Sequence, residues 1–209
     1  GRREVQTKAE TTREYVKTGR KQDLNKVEQA IKMLIEGLGG DLDSEGLKET
    51  PHRAAKAYIE LTKGMELSNQ QIAEMNNKCF ESIEGKDLVL EKNISFYSFC
   101  EHHILPMKLK CHIAYIPNGK VIGLSKMARI ATLCGARLQL QERIGEDIAE
   151  VMQLILNTKD VAVIIDGIHG CMTMRGIKNI TSETKTATLR GKFSDKSELR
   201  AELYSLIGK

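Results

Sequence analysis

Residues 99–106, FCEHHILP, set a cysteine, an acid and two histidines in four consecutive positions and close them with a proline. The chain of 209 residues has five cysteines and five histidines, so three of these ten residues fall in one short bend. Cys100 and His103 are three apart, which lets both side chains reach one ion from a single turn, and thiolate sulfur with imidazole nitrogen is a donor set that zinc favours. Two donors do not hold zinc. A further ligand must come from elsewhere, so the chain has to fold a second Cys/His segment onto this bend. The best candidate is GIHGCMTMRG, with His169 and Cys171. These two stand two positions apart at the end of a strand pattern, and in a regular strand residues at that spacing share a face. Cys79, Cys111 and Cys134 lie in periodic apolar surroundings and read as small core residues.

A Cys, Cys, His set leaves the fourth zinc position open, which is the catalytic form of such a site. Two thiolates and a neutral imidazole make it formally neutral, and bound water can still be acidified towards pH 7. The histidines not used as ligands, His102 and His169, then flank the ion as proton carriers.

The remaining chemistry narrows the partners. An odd number of cysteines argues against a disulfide scaffold and for a reducing compartment, here the cytoplasm. No apolar run approaches the ~20 residues of a membrane span, and no secretory signal opens the chain. The net charge is +4, aromatics are 4% and Trp is absent. A nucleic-acid binder usually carries a denser basic stripe with stacking aromatics. Neither nucleic acid nor membrane is therefore expected as a partner. Mild basicity suits an anionic small molecule.

Along the chain, residues 1–21 read as a flexible basic arm, 22–78 as an N-terminal helical segment and 79–209 as the catalytic domain. Leu24, Val27, Ile31, Leu34 and Leu38 step by three and four until GLGG ends the helix. A second helix follows in ETPHRAAKAYIELTKG, with Thr50 as N-cap, Pro51 at the first position and Gly64 at the close. A third, short helix follows Ser68. DLVLEKNISFYSF and KLKCHIAYIP read as strands, and the Asn118 and Gly119 pair predicts a hairpin whose return strand is KVIGL. Helical spacing then runs from Ser125 through Met127, Ile130, Ala131, Cys134 and Leu138, and again through Ile144, Ile148, Val151 and Ile155. DVAVIID and TKTATLRGKF are strands, and KSELRAELYSLI is a terminal helix. Strand pair, helix pair, strand pair is an α+β pattern with an antiparallel sheet covered on one face.

CEHHILP, YIPNGKVIGLSKMARI, RLQLQERI and HGCMTMRG occur in the order and spacing of GTP cyclohydrolase I, and over roughly residues 24–207 the chain resembles that family. The resemblance implies a tunnelling fold (T-fold, ββααββ) and a homodecamer with sites at subunit contacts; it leaves a regulatory protein open. It also implies the conversion of GTP and water to formate and 7,8-dihydroneopterin triphosphate, the first step of pterin and folate synthesis. Carried onto this sequence, it makes Cys100, His103 and Cys171 the Zn2+ ligands and His102 and His169 the acid–base pair. Zinc-activated water would add to C8 of the purine while a histidine protonates N7.

Glu142 matches the guanine anchor, where one carboxylate accepts N1–H and the 2-amino group together. Without the resemblance it would read as a first-turn acid favoured by the helix dipole. Gln141 matches a second purine contact. Ser125, Lys126, Arg129 and Arg175 match triphosphate contacts; by themselves they read as an N-cap and solvated cations. Arg53 matches an arginine that reaches into a neighbouring subunit's site. One departure is TLCGA, where members of the family carry bulkier residues. Gly135 within a helix costs about 1 kcal/mol against Ala and is expected to alter packing between subunits.

Two other readings compete. A related tunnelling-fold enzyme, such as a pterin synthase or deazaguanine reductase, does not account for Cys100, His103 and Cys171 together with the GLSK segment. A non-catalytic zinc module or RNA binder needs a fourth ligand or a basic stripe.

Overall fold

The structure, a computed structural model, describes residues 19–82 and 87–208. Most of the arm expected at 1–21 therefore lies outside the described residues. Its last part is tied down, since the Arg20 N–H donates to the Met65 carbonyl at 2.7 Å. In chain order the elements are α1 (Leu24–Gly37), α2 (Thr50–Leu61), a 3-10 turn (Lys63–Glu66), α3 (Asn69–Met75), β1 (Cys79–Glu81), β2 (Val89–Cys100) and β3 (Pro106–Tyr115). There follow β4 (Lys120–Ile122), α4 (Leu124–Gly135), β5 (Leu138–Gln139), α5 (Gln141–Leu156), β6 (Val161–His169), α6 (Gly170–Thr173), β7 (Thr184–Leu189), α7 (Lys192–Asp195) and α8 (Ser197–Ile207). The main elements β2, β3, α4, α5, β6 and β7 give the expected ββααββ order of an α+β T-fold. Among the described residues no helix is long and apolar enough to cross a membrane.

Five strands form one sheet in the order β5-β2-β3-β6-β7, antiparallel except where β5 runs parallel to the end of β2. Alternate residues of β3 and β6 (Cys111, Ile113 and Tyr115; Val161, Val163 and Ile165) bury against Met127, Ile130 and Cys134 of α4 and Ile144, Ile148 and Met152 of α5. The opposite face is not wholly bare. Ala114, Ala162 and Ile164 pack there with Phe193 and Leu203 from α7 and α8.

Several local expectations change. Gly119 does turn the chain, with φ of +77°, but the returning β4 pairs with β1 rather than with β3. The reason is geometric: β3 lies between β2 and β6 and has no free edge. Thr50 is the first residue of α2, behind Glu49 as N-cap, and its hydroxyl donates back to the Gly46 carbonyl. The helix stops at Leu61, so Gly64 belongs to the 3-10 turn. Ser125 sits in the first turn of α4, whose N-cap is Gly123. Leu138 lies in β5. Gly135 ends α4 against the Phe96 ring, so its missing side chain serves packing within the chain. The stripe of α1 lies along α2, yet no α1 residue is buried.

One guanidinium fixes the N-terminal segment to the sheet layer. Arg137 is fully buried and donates from Nη1 to Asp147 Oδ2 (2.9 Å) and Asn69 Oδ1 (3.0 Å). Its Nε donates to the Gly64 carbonyl and its Nη2 to the Leu67 carbonyl. Desolvation pushes the Asp147 carboxyl up; Arg137, Gln139 and Asn69 oppose it. A buried charge is tolerable only when paired and hydrogen-bonded in this way.

Candidate active site

Because β3 separates β2 and β6, the bend between β2 and β3 and the far end of β6 meet at one end of the sheet. The register Met107↔His169 and Phe99↔Pro106 places them side by side. The bend is closed by its own backbone: Cys100 N–H donates to the Leu105 carbonyl, and Ile104 N–H donates to the Cys100 carbonyl. Ile104 takes a left-handed φ of +54° to allow it.

Cys171 arrives differently from a strand residue. β6 ends at His169 and the chain turns at once into α6. Strand alternation therefore no longer governs which way Cys171 points. The donor atoms of Cys100, His103 and Cys171 all lie within 4.8 Å of one another, close to what ligand–metal distances of about 2.0–2.3 Å allow. Cys100 is buried, Cys171 half-buried and His103 exposed, so the cluster opens to solvent on one side. Desolvation and the neighbouring Cys100 push the Cys171 thiol up. A dication held beside Cys171 would offset that penalty, and the donor set fits zinc.

His169 does not join the cluster. Its Nε2 lies 2.7 Å from Gln141 Oε1. The Gln141 amide nitrogen donates to the Ile165 carbonyl, the Thr184 carbonyl and Thr186 Oγ1. Three acceptors around that nitrogen fix which end of the amide is oxygen. The oxygen can only accept, so His169 Nε2 carries hydrogen and Nδ1 keeps its lone pair in the neutral ring. Burial pulls the His169 pKa down, and the Glu142 carboxylate pulls it partly back. Gln141 is 1% exposed and its side chain is taken up by these contacts, beneath the site. Glu142, the next residue, is exposed. His102 is exposed beside His103, with ring centroids 6.2 Å apart.

The expected triphosphate and neighbouring-site residues are spread out: Ser125, Lys126 and Arg129 on α4, Arg53 on α2 and Arg175 in the segment after α6. Arg175 is near enough to act on the Cys171 thiol. Arg129 lines a cavity of about 420 Å³ with Lys63, Asn76 and Thr132. Among the described residues Arg53, Lys126, Arg129 and Arg175 form no ion pair. Sequence reasoning passed over Glu101 and Arg143, which are paired: Arg143 Nη1 lies 2.8 Å from Glu101 Oε2. No local pattern marks that pair.

Comparison with known proteins points to a single family. The profile of a family described as GTP cyclohydrolase I matches residues 27–208. The GTP cyclohydrolase 1 of Clostridium acetobutylicum is 51% identical over 189 residues, 88% of this chain and 97% of its own. That of Ruminiclostridium cellulolyticum is 52% identical over 190 residues, again 88% and 97%. The protein of the same description from Clostridium botulinum (strain Loch Maree) is 51% identical over 193 residues, 90% and 98%. Among solved structures, the apo form of archaeosine synthase QueF-Like matches 50% of this chain and 94% of its own, at 19% identity and a TM-score of 0.41, too distant a likeness to bear on the fold.

Proposed function

The chain belongs to the GTP cyclohydrolase I family, and from that premise we propose that it converts GTP and water to formate and 7,8-dihydroneopterin triphosphate. The observation that carries this reading is the juxtaposition of three metal donors with a tautomer-fixed histidine and an exposed acid on the adjoining helix turn. Cys100, His103 and Cys171 are the residues to hold zinc. When bound, zinc supplies a Lewis acid that brings a coordinated water towards a pKa of about 7.

The chain's own groups do the rest. Glu142 accepts N1–H and the 2-amino group of guanine. Adenine offers an acceptor at N1, so it leaves that carboxylate facing a lone pair, a mismatch that discriminates strongly. His102 and His169 hold and move protons: one protonates N7 as water adds to C8, and the imidazole ring opens. A second water releases C8 as formate. The ribose then rearranges to a ketone, and closure with the exposed amine expels one water, so that one water is consumed overall. Gln141 keeps His169 in a single tautomer, Nδ1 facing away from the amide.

Ser125, Lys126, Arg129 and Arg175 bind the triphosphate. Lys126 and Arg129 are three apart on one face, at a helix start whose free amides suit anions. Arg53 serves the site of a neighbouring subunit in a homodecamer. The uncovered apolar residues Met33 and Leu34 of α1 and Leu38 at its C-cap, 59–78% exposed in the single chain, support an assembled state. Free thiols at the metal cluster suit the reducing cytoplasm.

The test is to incubate metal-loaded protein with GTP and follow formate release and pterin fluorescence, with and without a chelator. Activity that the chelator abolishes, and that E142Q redirects by weakening preference for GTP over ATP, is expected. No formate from GTP with a fully loaded protein would overturn the reading.

A further inference from the structure

The geometry points to Glu101 and Arg143 as a positioning pair that sets the metal-bearing bend against the purine anchor; this rests on the reaction proposed above. Glu101 stands between Cys100 and His102 and is the obvious acid to complete a metal site. Its carboxylate is not in the ligand cluster. Arg143 takes it from α5 with both ends of the guanidinium, at 2.8 and 3.4 Å. The two side chains are 27% and 16% exposed, so the pair is less screened than a surface bridge. The planar fork of arginine also fixes orientation as well as distance.

The place of Arg143 gives the pair its meaning. Gln141, Glu142 and Arg143 are consecutive in the first turn of α5. Gln141 reaches inward to His169, Glu142 stands out to solvent where guanine is read, and Arg143 holds the bend. One helical turn therefore refers the proton carrier, the purine and the metal ligands to a common frame. Among the described residues the bend's other backbone hydrogen bonds are its own closing ones and that of the Glu101 N–H to the Gln139 carbonyl at 3.0 Å. Among the described residues no other ion pair reaches it. Metal affinity follows from the three ligands themselves. The distance from metal to purine follows from the pair.

Removing the pair should therefore separate metal binding from turnover. E101Q and R143Q are each expected to lower kcat about 10- to 100-fold, the scale of an ångström of misplacement, with KM within about threefold. The cobalt(II)-loaded variants should keep one metal per chain and the thiolate-to-metal absorption of wild type. The double variant should be no slower than R143Q alone, because once the guanidinium is gone E101Q has nothing of the pair left to remove. R143K keeps the charge and one contact, and should fall between wild type and R143Q; it also serves where E101Q folds poorly. Wild-type kcat in both single variants overturns the inference. So does loss of metal from folded protein, or effects that multiply in the double variant. If the wild type itself releases no formate from GTP, the proposed reaction has failed; if it does and the variants match it, only the positioning role has.

Discussion

Gln141 Oε1 accepts a hydrogen bond from His169 Nε2 at 2.7 Å, and the other end of the same amide is held by two carbonyls and a hydroxyl of β6 and β7. The amide can turn over only by facing three acceptors with its oxygen. The histidine is thus locked by the sheet, through a residue with almost no surface of its own. Replacing Gln141 by Leu keeps the bulk and removes every one of these bonds. The variant should lose about 1–3 kcal/mol of stability for the polar groups left unpaired, and its turnover should fall further than its stability accounts for. Nitrogen-15 NMR of the imidazole reports the cause: a single Nε2–H tautomer at His169 in wild type, a mixture in Q141L. A single tautomer in both proteins would remove the lock.

Cys171→Ser replaces one thiolate in the cluster by a poor zinc ligand. Metal content should fall well below one per chain and activity with it, while the fold persists, because α6 is a single turn at the end of β6. A fully loaded, fully active C171S contradicts the assignment. Metal removal from wild type gives a second measurement. The Cys100 and Cys171 sulfurs lie within 4.8 Å, so small movements bring them to the ~2.05 Å of a disulfide. Oxidised apoprotein should show that linkage by peptide mass mapping. Cys111 and Cys134, buried and with thiols pushed far up by desolvation, should stay reduced, since the thiolate is the reactive form.

The metal bend was legible because its chemistry is local: three positions from Cys100 to His103 suffice. Cys171 was found by residue type, but its approach was not, because strand alternation assumes a strand and β6 gives way to α6 one residue earlier. The same contrast runs through the fold. Apolar periods in α5 marked Ile144, Ile148 and Val151, all of which are buried, since one-sided burial writes itself into spacing. Strand partners are decided by distant edges, so the turn at Gly119 was seen and its pairing with β1 was not. Gln141, Arg143 and Arg137 are polar residues whose burial depends entirely on tertiary partners. No window of sequence around any of them carries that information.

Gly135 is a further case where context reverses a local rule. In an exposed helix Gly→Ala gains up to about 1 kcal/mol. Here a Cβ would collide with Cδ2 and Cε2 of the Phe96 ring, and both elements are buried in the sheet–helix layer. G135A is therefore expected to lose about 1–3 kcal/mol, the usual cost of overpacking a core. Making room with Phe96→Leu should reduce that loss, so the double variant should be more stable than the two single losses added together. Urea unfolding of the four proteins gives the comparison. Additive losses would mean that the ring and the glycine are not in contact.

His112 offers a pH-dependent test away from the site. It lies on β3 and is 3% exposed. Its Nδ1 accepts the Asn93 N–H from β2 at 3.4 Å, and its Nε2 faces Asp166 of β6 at 3.6 Å. Lys185 of β7 is bound to that same aspartate at 3.0 Å, and Lys110 is on its own strand. Burial pulls the His112 pKa down most strongly; Asp166 opposes this, and Lys110 and Lys185 add to it. The folded pKa thus lies below the ordinary histidine value of about 6.5. As pH falls, the unfolded chain takes up this proton before the folded chain does. The stabilisation is complete above the unfolded pKa and is lost as pH falls through the folded one. His112→Gln removes the titration. Urea midpoints measured from about pH 7.5 down to about 5 should decline more steeply in wild type than in H112Q, in the direction linkage requires. Parallel declines in the two proteins would show that the buried ring takes no part in the acid response.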